Sequence, residues 1–133
     1  MNRIGALVFS LGFSRHYAVA LETRNPKSGK PVRIPIVVTP YAGSEYLVSM
    51  LGQHSYWVRN VRAASGRAII VSGRQRAVIL NEVPAELRAP ILRAYLARAP
   101  GARPHIPINR NAPVASFEAL ASDYPVFEIR YSR

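Results

Sequence analysis

Short apolar runs separated by turn residues occur through most of the chain, and this pattern constrains the fold more than any other feature. The runs are too short for core helices and are rich in Val and Ile, so each indicates a β-strand. Strands are predicted over residues 17–23, 32–41, 45–50, 67–72, 75–83 and 126–131. Pro35 and Pro40 have no N–H to donate to a ladder, which predicts irregular sheet edges near them. Short connections between the strands favour antiparallel pairing.

Helical spacing of apolar residues predicts two to four helices around this sheet. Ser55 is expected to cap a helix that continues to about residue 64, and Gly66 ends it. A second helix is predicted from Pro84, with one face formed by Leu87, Ile91, Leu92, Tyr95 and Leu96. A third covers residues 116–122, and the proline-rich stretch 102–113 is a long loop, either a binding wall or a plain surface excursion. The fold is therefore predicted to be α+β, mainly antiparallel β, built as a closed or split barrel.

The first segment has apolar residues at helical spacing. Arg3 precedes the mostly apolar run 4–13, and residues 1–15 are predicted to form an amphipathic helix lying on the domain. Peripheral contact with a membrane or a lipid-like substrate is one alternative. A secretory signal cleaved after Ala20 is another, although Arg15 and His16 interrupt it. The run is too short for the roughly 20 apolar residues that cross a bilayer. Because the secretory signal is weak, a cytoplasmic location is expected, with or without membrane association.

Charge and length bound the function. A chain of 133 residues is expected to form a single domain over residues 1–133. Eighteen basic residues against seven acidic residues give a net charge of +11, which predicts an anionic partner. Nucleic acid, an acidic membrane surface and a small ligand with phosphates or carboxylates all qualify. The chain has no cysteine and only three scattered histidines, so no metal site is predicted.

Two motifs bear on ligand binding. Lys27, Ser28, Gly29 and Lys30 stand between the first two predicted strands, where they form either a solvated turn or a compact anion cradle of cations, a hydroxyl and backbone amides. Tyr56, Trp57 and Asn60 follow later at helical spacing. The indole and the amide share one helical face, as binding of a planar cofactor requires, whereas Trp57 taken alone is more typical of a core anchor.

The order of these motifs resembles the deazaflavin-dependent nitroreductase family. The shared set is a strand, the Lys-Ser-Gly hairpin, a strand with Arg33 and Pro35, a strand ending in Ser49, and the Trp-x-x-Asn helix. The likeness covers residues 21–73, and residues 123–127 resemble the segment before the family's last strand. It implies a split β-barrel of the flavin- and deazaflavin-binding type.

The resemblance also implies a reduced deazaflavin coenzyme, coenzyme F-420. Family roles place Lys27 and Ser28 at its phosphate and oligoglutamate tail, and Pro35 beside its ring. Ser49 would lie near the reacting edge, and Trp57 and Asn60 would make further contacts with the coenzyme. Arg33 and Met50 complete the predicted cofactor contacts. Ser49 and Tyr56 are the candidate catalytic residues, as proton donors to the product, and solvent is the alternative donor.

Some positions depart from the family pattern. Val32 stands where the family has an arginine, and the basic residue comes one position later, which turns it to the opposite face of a strand. Pro26 replaces the usual arginine before the Lys-Ser-Gly, and Met50 stands where some members have a cation. The tyrosine-rich substrate segment of nitro-reducing members is not matched by residues 102–111. Reduction of nitroimidazoles is therefore not implied.

The predicted function is an oxidoreductase that transfers hydride from the reduced coenzyme to a small hydrophobic planar acceptor, such as a quinone, an enone or a nitroaromatic. An oxidoreductase of the same barrel type that uses flavin mononucleotide (FMN) is one alternative. A non-enzymatic anion- or nucleic-acid-binding barrel is another; Tyr41, Tyr46 and Tyr131 do not form the aromatic ladder that base stacking needs, so no nucleic acid is expected. The protein is expected to be a monomer or a homodimer.

Overall fold

The structure, a computed structural model, describes residues 18–132. Within that range seven strands form one antiparallel sheet in the order β2-β1-β5-β6-β7-β4-β3. Their bounds are β1 Ala18–Arg24, β2 Pro31–Val37, β3 Thr39–Tyr41, β4 Ser44–Val48, β5 Arg67–Ser72, β6 Arg74–Glu82 and β7 Val126–Tyr131. The predicted class, α+β and mainly antiparallel β, is confirmed. The expected N-terminal helix over residues 1–15 and the signal cleavage alternative lie mainly or wholly outside the described residues.

The sheet curls because its two terminal strands come from one continuous segment of the chain. β2 and β3 are the two terminal strands of the sheet, yet Val38 alone separates them in the sequence. The two sheet ends must therefore meet, and a split barrel results. The prediction of one continuous strand over residues 32–41 was wrong, because the segment divides at Val38 into β2 and β3. Pro35 and Pro40 lie in the two terminal strands, as expected for residues that cannot donate to a ladder.

Three α-helices flank the sheet in the described chain. They are α1 Tyr56–Ala63, α2 Ala89–Arg98 and α3 Val114–Glu118, with 3₁₀ segments at Ala85–Leu87, Pro100–His105 and Ala121–Asp123. The helix predicted from Pro84 begins instead at Ala89, because Pro90 is accepted only in a first helical turn. Leu87 is consequently exposed, and its predicted place on the buried face was wrong. Among the described residues no helix combines the length and apolarity needed to cross a membrane.

Two apolar cores lie on opposite faces of the sheet. Strand alternation sends Leu47 and Phe127 to the barrel interior, where Val58 and Val61 of α1 close one end. The neighbouring Val48 and Val126 point to the other face, which α2 and α3 cover. The barrel is thus supported on one outer face and leaves the edge of β2 accessible.

Candidate functional site

A groove of about 520 Å³ lies between the β2 edge and the turn that leads from β4 into α1. Its lining is mostly apolar: Val32, Ile34, Pro35, Ile36, Val37, Val48, Met50, Leu51, His54, Ser55, Tyr56, Trp57 and Tyr95. This volume is in the range of small-molecule and cofactor sites. Four residues predicted from the sequence meet in this groove: Pro35 of β2, Met50 of the turn after β4, and Tyr56 and Trp57 of α1.

Trp57 is both a groove wall and a core residue. Its side chain is 8% exposed, and its ring centroid lies 5.4 Å from that of Phe127 at an interplanar angle of 58°. This tilted contact with the barrel core holds the indole in one orientation. The two interpretations of Trp57 weighed from the sequence are therefore compatible.

Ser49 and Ser55 shape the turn before α1. Ser49 is fully buried, and its Oγ donates to the Gly52 carbonyl at 2.7 Å and lies 2.7 Å from the Ser55 Oγ. Ser49 does not line the groove, although its neighbour Met50 does. The expectation that Ser55 caps α1 with its side chain was wrong, because its hydroxyl is used within this turn and makes no cap hydrogen bond.

Asn60 connects α1 to the sheet. Its Nδ2 donates to the Thr23 Oγ1 of β1 at 3.1 Å, and both side chains are buried. Asn60 lies one turn beyond Trp57 but does not line the groove. The hydrogen bond fixes the helix that carries the groove wall.

The backbone amides of the hairpin loop between β1 and β2 donate hydrogen bonds to acceptors within the loop itself. The backbone N–H groups of Lys27 and Ser28 donate to Asn25 Oδ1, that of Gly29 donates to the Asn25 carbonyl, and that of Lys30 donates to Ser28 Oγ. These hydrogen bonds favour the solvated-turn alternative over a cradle built from the backbone amides. The exposed side chains of Lys27 and Lys30 remain as charged groups just before β2, whose residues from Val32 onward line the groove.

Arg33 lies opposite Glu22 in the β1–β2 register and donates from Nε to Glu22 Oε1 at 2.7 Å. It follows Val32 on the strand, and it does not line the groove. The change of face expected from the one-residue offset therefore agrees with this position. Val32 itself lines the groove and is 40% exposed, so the groove lacks a cation at that point.

Sequence reasoning missed two titratable residues of the groove, His54 and Tyr95. His54 was considered only as a metal ligand, although its position two residues before Tyr56 would have placed it at the start of the helix. Tyr95 was assigned to the core of α2, and the structure buries it there and also at the groove wall. Burial raises the pKa of the Tyr95 phenol, so it stays protonated.

Residues 8–116 match the family model of the F420-H2-dependent quinone reductases. The chain belongs to this family. Membership places it among the oxidoreductases and confirms the resemblance to deazaflavin-dependent reductases. It supports the reduced deazaflavin as the coenzyme and gives no support to the FMN alternative. No curated protein matches the sequence.

Solved structures agree with the split barrel of this quinone reductase family. An F420-H2 dependent reductase is 19% identical, with a TM-score of 0.53 over 85% of this chain and 93% of its own. A putative pyridoxamine 5'-phosphate oxidase from Listeria innocua is 9% identical, with a TM-score of 0.60 over 96% of this chain and 92% of its own.

A protein of unknown function from Agrobacterium tumefaciens is 14% identical, with a TM-score of 0.61 over all of this chain. The chain spans 58% of the length of that Agrobacterium protein. At these identities the likenesses concern the fold alone.

Proposed function

We propose that the groove binds the reduced deazaflavin coenzyme and that the protein reduces a hydrophobic quinone. The observation that carries the proposal is the meeting of Pro35, Met50, Tyr56 and Trp57 in one apolar groove in a member of this family. When bound, the coenzyme supplies a hydride to the acceptor. The chain supplies binding, orientation and exclusion of water.

The groove fits a planar ring with an anionic tail. Pro35 and Trp57 are rigid side chains, so they orient a flat ring at little cost in conformational entropy. Lys27 and Lys30 stand in the loop that precedes β2, where exposed ammonium groups attract phosphate and carboxylate groups. Ser28 lies between them as a further hydroxyl group, and Arg33 is assigned to the ion pair with Glu22 rather than to the tail.

The chain offers a proton donor at the groove rim. The Tyr56 side chain is 76% exposed and lines the groove, so we assign its hydroxyl to protonation of the reduced product. Ser49, whose hydroxyl is engaged with Gly52 and Ser55, is assigned to holding the turn that carries Met50 and Tyr56. Asn60 is assigned to holding α1 through Thr23.

The acceptor is proposed to be hydrophobic because the groove rim is apolar. Leu51 is 64% exposed there, and with Met50 it also lines an adjoining cavity of about 320 Å³ that contains His105 and Tyr124. Large exposed apolar side chains beside a groove are typical of sites that receive apolar ligands. A planar quinone would therefore enter next to the proposed coenzyme ring.

Titration with the deazaflavin coenzyme tests the binding site. Trp57 is the single tryptophan of the chain, so quenching of its emission reports occupation of the groove. We expect saturable binding that weakens with salt, because the tail contacts are exposed ion pairs. Followed by coenzyme fluorescence, Trp57→Leu should weaken binding about 10-fold, and Lys27→Gln should weaken it about 2- to 5-fold and flatten its salt dependence.

The control is Arg110→Gln, which removes one exposed charge away from the groove and should leave the affinity within about twofold. Absence of saturable binding, or unchanged binding by Trp57→Leu, contradicts the assignment of the groove. Turnover is then compared for a naphthoquinone, an enone and a nitroaromatic. Tight coenzyme binding with no quinone reduction would overturn the acceptor while leaving the coenzyme site in place.

A further inference from the structure

A second cavity, of about 340 Å³, opens at the other end of the barrel. We call it the arginine mouth; it is lined by Val19, Val38, Pro40, Glu45, Ile70, Ser72, Arg74, Arg76, Arg98 and Tyr131. It shares no lining residue with the groove. Val19 is the second residue of β1, whereas Arg24 at the end of that strand adjoins the loop that holds Lys27 and Lys30, about 16 Å away at 3.3 Å per residue.

Strand alternation directs two arginines over the barrel interior. Arg74, Arg76, Val78 and Leu80 occupy every second position of β6, and the last two are buried in the interior core. The same face therefore changes from apolar to cationic toward the mouth. Arg98, the last residue of α2, adds a third guanidinium group.

Neighbouring side chains orient one of these arginines. The guanidinium carbon of Arg76 lies 4.0 Å from the ring centroid of Tyr131, in a cation–π contact. The Tyr131 hydroxyl donates to Glu45 Oε1 at 2.9 Å. Burial and Glu45 raise the pKa of Tyr131 to about 12, so this hydrogen bond persists at neutral pH. Arg76 is therefore partly preorganised.

The arginine mouth has an excess of positive charge. Three guanidinium groups and the single carboxylate of Glu45 line it, which leaves a net charge of +2. Like charges held in one cavity repel each other, and a bound dianion relieves this repulsion. The planar guanidinium group has a donor geometry that matches phosphate and carboxylate oxygens in bidentate hydrogen bonds.

We propose that the arginine mouth binds a small dianion, a phosphate group or a dicarboxylate, at a site separate from the coenzyme groove. Arg74 and Arg76 provide forked donors from β6, and Arg98 provides charge from α2. Glu45 limits the site to ligands of low charge, because a larger polyanion would meet its carboxylate. This proposal does not depend on the proposed reductase activity.

Isothermal titration calorimetry of the full chain with inorganic phosphate, and separately with succinate, tests the site. Ionic strength is held constant with chloride, so that general screening is the same in every titration. We expect one saturable site for at least one of the two dianions. Arg74→Gln/Arg76→Gln should weaken it 10-fold or more, and Arg74→Lys/Arg76→Lys should recover only part of the affinity, because Lys lacks the forked geometry.

The matched control is Arg93→Gln/Arg110→Gln, which removes the same charge from exposed positions outside the mouth. It should bind the dianion within twofold of the unsubstituted protein. No saturable binding of either dianion overturns the proposal, as does equal loss in the control. Displacement of the bound dianion by the deazaflavin coenzyme would also overturn it, because the two sites would then overlap.

Discussion

Gly66 lies where α1 passes into β5, and its replacement by alanine gives a sharp test of the packing. Gly66 has a φ of +88°, and an added Cβ would lie 2.7 Å from the Leu80 carbonyl oxygen. The backbone has little freedom to move away, since the Gly66 N–H donates to the Val61 carbonyl and its own carbonyl accepts from Leu80 N–H, both at 2.8 Å. The substitution therefore combines an unfavourable φ with a steric overlap.

Gly43 separates these two contributions. Its φ of +86° is nearly the same, but nothing lies within 4 Å of an added Cβ. Gly43→Ala should cost the φ contribution alone, about 1–2 kcal/mol. Gly66→Ala should cost a further 1–3 kcal/mol or so for the overlap with Leu80.

Thermal and urea unfolding followed by circular dichroism measure both variants. For a chain of 133 residues, 1 kcal/mol corresponds to roughly 3–4 °C in Tm. Gly66→Ala should therefore lower Tm by roughly 6–20 °C, and Gly43→Ala by roughly 3–8 °C. Equal losses in the two variants, within about 0.5 kcal/mol, would refute the steric argument and show that α1 shifts freely against β6.

Three further predictions concern polar side chains whose partners the structure identifies. Asn60→Ala should lower the free energy of unfolding by about 1–3 kcal/mol, because it leaves Thr23 without its partner. Measured by urea unfolding, Thr23→Val should cost less stability in the Asn60→Ala variant than in the unsubstituted protein. Arg88→Met should cost about 3 kcal/mol, since Arg88 donates to the Val83 and Ala121 carbonyls and pairs with Glu82; recovery of most of this stability in Arg88→Lys would contradict a role for the forked geometry. The raised pKa of Tyr131, about 12 in the folded state against about 10 when unfolded, favours the folded state below pH 10, and this contribution is lost as pH rises to 12. Tyr131→Phe should flatten the loss of stability between these pH values, and an unchanged slope would contradict the assignment.

The candidate site shows where sequence reasoning succeeds and where it stops. Pro35, Met50, Tyr56 and Trp57 were singled out from motif order, and the structure brings them into one groove. The use of the hairpin amides by Asn25 was not foreseen, because a Lys-Ser-Gly-Lys turn does not specify where its N–H groups point.

The approximate positions of most strands and of helix α1 were determined by the sequence itself. The spacing of apolar residues located strands such as Arg67–Ser72 and Val126–Tyr131, and helix α1, because these patterns depend on residues only a few positions apart. The charge of +11 likewise follows from composition. The start of α2 could also have been predicted locally, because Pro90 is accepted only in a first helical turn. The apolar spacing favoured an earlier start at Pro84.

Only the tertiary structure decided which distant residues meet. The division of residues 32–41 between the two ends of the sheet depends on pairing between distant strands, such as that of β4 with β7 through Val48 and Val126. Tyr131 and Glu45, 86 positions apart, meet at the arginine mouth for the same reason. Such pairings arise when the whole sheet curls and both of its faces are buried together, so no local pattern specifies them.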